Sequence, residues 1–184
     1  MQRASKECAY VAVFVALTIV AQLCFAAIPG VEVVTLLFVS FTFSFGAKRG
    51  VFAATAFSLL RQFIFGFSPT VLILYLVYYN VLAVGFGALG AKIKNPARSL
   101  WLVVLTACLC SVCFSMLDNI ITPLWYHYTP RAAHAYFLAS LTVMIPQVIC
   151  TAVTVGLLFL PLHKVFVLVK SWGTKKIRRR NPKK

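Results

Sequence analysis

The residues that can carry acid, base or metal chemistry are scarce in this chain. Its 184 residues include only 3 Asp and Glu and 3 His, and these form no His-Glu-x-x-His pair, nucleophile elbow or phosphate-binding glycine loop. The 6 cysteines lie in or beside apolar runs, and Cys110-x-x-Cys113 without a histidine or a second pair is more typical of packed core residues than of a metal or redox site. We therefore predict that the chain is not an enzyme, has no metal or intrinsic cofactor and does not hydrolyse ATP itself.

Binding is the chemistry that remains, because polar side chains within apolar runs are costly in a membrane and mark functional or structural contacts. Glu32 and Arg61 are expected at neighbouring helix ends, where they can form an ion pair. The other candidate ligand contacts combine aromatic rings with amide or acid groups, and they are Tyr79, Asn80, Asp118, Asn119, Trp125 and Tyr126. Such a set suits a ligand that has both flat and amide-bearing parts.

Several of these residues have a structural alternative that the sequence leaves open. An ion pair between Glu32 and Arg61 would be either a lock that satisfies two costly charges or a direct contact to ligand. Trp125 and Tyr126 would equally form a belt at the membrane interface. For Gln147, a bridge between helices is favoured over a contact to ligand.

The composition indicates the kind of scaffold that must position these residues. Hydrophobic residues make up 61% of the chain and charged residues 11%, whereas soluble domains are roughly 45–50% apolar and about 25% charged. This excludes a soluble globular domain. Apolar runs separated by charges and by Pro or Gly predict an all-α membrane protein, a bundle of six transmembrane helices at residues 8–28, 32–45, 51–65, 70–90, 100–117 and 135–169.

The short second and third runs are separated only by residues 46–50, Gly-Ala-Lys-Arg-Gly, which predict the turn of a tight helical hairpin. The first run follows a short basic segment, as in a signal peptide, but residues 25–29 make a poor cleavage site, so we expect it to be retained as a helix. Residues 1–170 then form the membrane domain and residues 171–184 a basic cytoplasmic tail.

The distribution of cations predicts the orientation of this bundle. If six spans alternate across the membrane, all but two of the 18 Lys and Arg fall on one side, the exceptions being Arg61 and Arg131. The positive-inside rule then places both termini in the cytoplasm. Residues 175–184 lack interleaved aromatic rings and follow a membrane span, so we expect them to contact anionic lipid rather than nucleic acid.

Two features together resemble a known transporter family. Ala12 and Ala16 form a small-x-x-x-small pair in the first helix, which allows close approach of another helix. With six short helices, both ends inside and no energetic machinery, the chain resembles the substrate-binding S components of energy-coupling-factor (ECF) vitamin transporters. Residues 29–37, Pro-Gly-Val-Glu-Val-Val-Thr-Leu-Leu, are similar to a Pro-x-Val-Glu-x-Val-Thr-Leu-Leu signature of the cobalamin-type branch, although Gly30 stands where the family usually has Asn.

The resemblance implies a function, partners and a location. An S component in a bacterial plasma membrane captures a vitamin from outside and topples in the membrane to release it inward. A transmembrane coupling protein and two cytoplasmic ATPases, which use ATP, drive this cycle, and Ala12 and Ala16 would form the surface on which the coupling protein docks. The resemblance favours cobalamin or another corrinoid as ligand, with a pyrimidine, pyridoxine or a queuosine precursor as the alternative. A small integral-membrane enzyme is the less favoured class.

Overall fold

The computed structural model describes residues 2–28 and 33–180, and every regular element in these ranges is an α-helix. The all-α prediction is therefore confirmed for them. The six helices are α1 (Gln2–Phe25), α2 (Val33–Phe45), α3 (Ala47–Phe65), α4 (Pro69–Lys92), α5 (Leu100–Trp125) and α6 (Pro130–Arg180). Segments of α1, α4, α5 and α6 are long and apolar enough to cross a membrane. They fit a membrane-embedded protein.

The hairpin predicted around residues 46–50 forms, but its turn is shorter than expected. Only Gly46 separates α2 from α3, and its φ of 88° is a left-handed conformation that glycine adopts without steric cost. The Gly46 N–H donates to the Thr42 carbonyl at 2.8 Å and so closes α2. Lys48 and Arg49 lie in the first turn of α3 rather than in a loop, because both are good helix formers and one glycine suffices to reverse the chain.

The last two helices are longer than the apolar runs predicted. Helix α5 continues to Trp125 through an internal proline, and α6 has 51 residues with two internal prolines. At 1.5 Å per residue α6 is about 75 Å long, far more than a bilayer needs. Residues 171–180 of the predicted tail continue α6, whereas residues 181–184 lie outside the described residues.

Helix α2 is the centre of the bundle. Its residues 34–45 are all buried, and it contacts each of the other five helices. The helix has no charged residue, which is the pattern expected of a helix that is enclosed on every side. Stacked and edge-on aromatic rings fill the space around it, including Phe14 against Phe41 at a centroid distance of 4.0 Å and Phe38 against Tyr79 at 4.6 Å.

Two glycines allow α4 to lie directly against the α2–α3 hairpin. A Cβ atom at Gly87 would collide with the backbone of Ala47, and one at Gly90 would collide with the carbonyl oxygen of Phe43. Gly85, on the same helix, has no atom within 4 Å of the position that a Cβ would take. The hairpin turn is thus held by a backbone-to-backbone contact that any side chain at Gly87 or Gly90 would separate.

Substituting Gly87 with Ala is expected to lower the stability of the protein by about 2 kcal/mol, because the added methyl group meets backbone atoms that cannot rotate away. Gly85→Ala is the matched control, and it is expected to be neutral or stabilising by up to about 1 kcal/mol through helix propensity. Thermal unfolding of the detergent-purified protein measures both. Equal melting temperatures for the two variants would contradict the close packing of α4 on the hairpin.

Candidate functional site

The two ends of the bundle differ in chemistry. At the basic end, the Arg49 guanidinium forms an ion pair with Glu7 at 2.8 Å, and the Lys170 ammonium donates to the carbonyl oxygen of Ser44 at 2.7 Å. The aromatic end is the opposite one, where α1, α3 and α5 finish near Phe25, Phe65 and Trp125.

A cavity of about 230 Å³ opens near the aromatic end. Helices α1, α2, α4, α5 and α6 each contribute to its wall, whereas α3 does not. The lining is mostly apolar and aromatic, with two amide and two phenol side chains among the apolar ones: Ala21, Gln22, Phe25, Ala26, Ile28, Val33, Val34, Tyr75, Tyr79, Phe114, Val143 and Gln147. An apolar pocket with a few convergent polar groups is the usual form of a small-molecule site.

Gln22, which lines this cavity, has an unsatisfied acceptor. Its Nε2 donates to the Tyr75 hydroxyl at 3.1 Å, which fixes the orientation of the amide. Its Oε1 is buried and accepts no hydrogen bond from the described residues. Because a buried polar atom without a partner is destabilising by about 1–3 kcal/mol, a ligand that donates a hydrogen bond to Oε1 would remove that penalty.

Gln147 is the second amide of the cavity. Its side chain is 5% exposed, and it makes no hydrogen bond with any described residue. The preceding residue, Pro146, lies inside α6 and lacks the N–H that would bond to the carbonyl of Thr142. The cavity wall therefore includes an amide with both a donor and an acceptor, next to a turn of helix in which Pro146 cannot supply the usual N–H donor.

Aromatic rings form the flat part of the site. Tyr79, a predicted ligand contact, lines the cavity and is 1% exposed. The Tyr75 ring lies 5.3 Å from that of Tyr79 and 5.8 Å from that of Phe114, as measured between centroids. Such a cluster gives a planar ligand edge-to-face or offset-stacked contacts.

Arg61 contacts the cavity only through Tyr75. Its guanidinium carbon lies 4.4 Å from the Tyr75 ring centroid and 4.7 Å from that of Phe65. Arg61 forms no ion pair within the described part of the chain, and its buried Nε has no hydrogen-bond partner there. Its predicted partner, Glu32, lies outside the described residues. The ion pair and its role, either structural or in ligand binding, therefore stay predictions.

Three other predicted ligand residues have partners away from the cavity. Asn80 donates to the carbonyl of Leu76 at 2.7 Å and accepts from the Thr55 hydroxyl at 3.3 Å, so its amide faces α3. Asp118 and Asn119 lie one turn beyond Phe114 on α5 and connect α5 to α6. The Tyr136 hydroxyl donates to Asp118 at 2.6 Å, and the Asn119 amide donates to the Ser140 hydroxyl at 2.7 Å.

The two predicted contacts at the end of α5 are largely exposed. Trp125 is 49% exposed and Tyr126 53% exposed, and neither lines the cavity. The Tyr126 ring stacks on that of Tyr128 at a centroid distance of 6.1 Å. Exposed aromatic rings at the end of an apolar helix fit the interface belt that the sequence left open.

A second concavity of about 970 Å³ runs between α1 and α3. Ala12 and Ala16, the predicted docking pair, are exposed and line this α1–α3 groove. Their small side chains leave room between the two helices.

In residues 2–28 and 33–180, no cluster of three or more His, Cys, Asp or Glu has the arrangement of a metal site.

Gln22 and Tyr75 line the cavity, although neither is among the ligand residues predicted from the sequence. A signal for Gln22 was present, because it is an isolated amide within the apolar run of α1. Its approach to Tyr75, 53 positions away along the chain, is a property of the folded bundle.

Comparisons with family models, with curated proteins and with solved structures give no significant match to this chain.

Substituting Tyr136 with Phe is expected to destabilise the protein by about 1 kcal/mol, because the Asp118 carboxylate loses a 2.6 Å hydrogen bond in a half-buried setting. Tyr128→Phe is the matched control, since the Tyr128 ring contacts those of Tyr126 and Tyr136 while its hydroxyl bonds to no described residue. Thermal unfolding measures the melting temperatures of the two variants and so distinguishes their effects. A Tyr128→Phe variant that loses as much stability as Tyr136→Phe would contradict the bridging role of Asp118.

Proposed function

We propose that this chain is the substrate-capturing S component of an ECF-type importer in a bacterial plasma membrane. In this proposal the six helices span the membrane, both termini lie in the cytoplasm, and the aromatic end faces outward. A transmembrane coupling protein and two cytoplasmic ATPases supply the energy. The cavity near the aromatic end carries the proposal, because it combines an apolar wall with convergent amide and phenol groups.

The size of this cavity favours a small ligand. Its volume of about 230 Å³ lies below the roughly 300–1,000 Å³ of sites for drug-sized molecules. One or two fused rings with hydrogen-bonding edges fit that space, and this favours a vitamin or nucleobase-like precursor. A corrinoid, which the motif at residues 29–37 favours, is much larger and would require the helix ends around the cavity to separate.

The packing of α2 supports insertion of such a short helix in a membrane. Its 13 residues span about 20 Å, less than the roughly 30 Å of the hydrocarbon core. A short helix that faces lipid would have to thin the bilayer. Since α2 is enclosed by the other five helices, its length does not have to match the bilayer.

The α1–α3 groove supports the proposed docking surface. Its apolar walls and the exposed Ala12 and Ala16 would admit a helix of a coupling protein at close range. The groove and the cavity have no lining residue in common. Ligand capture and partner docking would therefore use separate surfaces of the same bundle.

A binding screen on the purified chain tests ligand capture. We expect a small nitrogen heterocycle from a panel of pyrimidines, pyridoxine and queuosine precursors to bind, and Gln147→Leu to weaken that binding about tenfold or more through loss of a hydrogen bond in a buried site. Isothermal titration calorimetry in detergent measures both. Asn80→Leu is the control, because it removes an amide that faces α3.

Binding of cobalamin or cobinamide without any small heterocycle would shift the ligand to the corrinoid class. No binding of any panel member, or equal losses in the Gln147 and Asn80 variants, would contradict the assignment of the cavity as the capture site.

Replacing both Ala12 and Ala16 with Leu is expected to abolish ligand uptake in cells while leaving the affinity of the isolated protein within about twofold. The physical reason is that larger side chains hold a partner helix away from α1 without touching the cavity. Uptake of labelled ligand and calorimetry on the purified variant measure the two effects. If the variant lost ligand binding but still assembled with the coupling protein, the docking assignment would be contradicted.

A further inference from the structure

The two ends of the α1–α3 groove differ in charge, and partner docking does not explain this difference. Its walls are apolar along most of their length, with Phe52, Leu60 and Phe63 among the exposed residues of α3. Of the described residues that line it, the charged ones, Glu7, Lys48 and Arg49, lie at the basic end. A long apolar trough that ends in charged groups has the amphipathic pattern of a phospholipid.

The charges at the end of the groove favour an anionic headgroup. Glu7 pairs with Arg49, and Arg49 also donates to the carbonyl oxygen of Phe45 at 3.3 Å. Lys48 is exposed and forms neither an ion pair nor a hydrogen bond with any described residue. Among the described side chains that line it, the groove mouth therefore has two cations against one carboxylate, a net charge of +1.

The dimensions of the groove fit one acyl chain from that headgroup. From Cys8 to Leu23 its α1 wall rises about 22 Å, whereas the chains of one leaflet cover about half of the 30 Å core. The small residues Ala12, Ala16 and Ala56 line this part of the groove. A chain that starts at the level of Lys48 would lie against these alanines and end near Ile19.

We propose that the α1–α3 groove binds one anionic phospholipid, with its headgroup at Lys48 and Arg49 and an acyl chain along Ala12, Ala16 and Phe52. The site requires only that the chain lies in a membrane with its basic end at a headgroup layer. Since Ala12 and Ala16 also form the proposed docking surface, a coupling protein has to displace this lipid; that consequence alone rests on the proposed function.

Native mass spectrometry of the full chain tests the site. The protein is released from micelles that contain equal amounts of phosphatidylglycerol and phosphatidylcholine with identical acyl chains. We expect one retained phosphatidylglycerol, and we expect Lys48→Gln to reduce its preference over phosphatidylcholine about fivefold. Lys92→Gln is the matched control, because it removes a cation in the last turn of α4 that does not line the groove.

A second pair of variants tests the apolar part of the site. Ala16→Phe fills the groove and is expected to remove the bound lipid whatever its headgroup, whereas Ala139→Phe, at an exposed position of α6 outside the groove, is expected to leave it in place. Both alanines are exposed, so neither change disturbs the core.

Equal retention of the two lipids would overturn the proposal, because it would indicate unselective contact with surrounding lipid. So would equal effects of Lys48→Gln and Lys92→Gln, or a dimer of the chain in place of the lipid adduct. Ligand capture is not measured in this experiment, and a failed vitamin screen would leave its result unchanged.

Discussion

The enclosure of α2 by the other five helices is the constraint on which the rest of the structure depends. Twelve consecutive residues of this helix are buried, so its neighbours present mostly apolar or small faces to it, with polar contacts such as that of Lys170 to Ser44 at the basic end. The aromatic rings of Phe38 and Phe41 fill the space toward α1, α3 and α4. Two of its hydroxyl groups are satisfied within the helix, as Thr42 and Ser44 donate to carbonyls one turn back, whereas the buried Ser40 hydroxyl has no hydrogen-bond partner among the described residues. A polar side chain there without such a partner would be destabilising.

This enclosure also determines how the two ends of the bundle differ. At the basic end α2 continues into α3 through Gly46, and α4 approaches the turn at Gly87 and Gly90, so that end is packed backbone against backbone. At the aromatic end α2 begins at Val33, and the helices around it leave a cavity. An end that contains an open cavity is thus combined with a closed end that keeps the helices in register.

Helix α1 contributes to several different surfaces of the bundle. Helix α1 buries Phe14 and Val15 against the core and leaves Ala12 and Ala16 exposed. The same helix therefore contributes to the core, to the cavity through Gln22 and to the groove through its alanines. In a bundle of this size one helix serves several surfaces, because each turn of about 3.6 residues presents a new face.

The sequence by itself determined the helical class and the hairpin between the second and third helices. The reason is that these follow from local composition: long uncharged runs favour helices in a membrane, and Gly46 allows a reversal. It also singled out Tyr79, Ala12 and Ala16, whose locations on the cavity and the groove come from the structure. It did not determine that Gln22 meets Tyr75, that the Asn80 amide faces α3, or that Asp118 bonds to Tyr136. Only the tertiary structure decided these contacts, because a polar residue in an apolar helix takes whichever partner the packing of neighbouring helices brings within hydrogen-bond distance, and that packing depends on residues far apart in the chain.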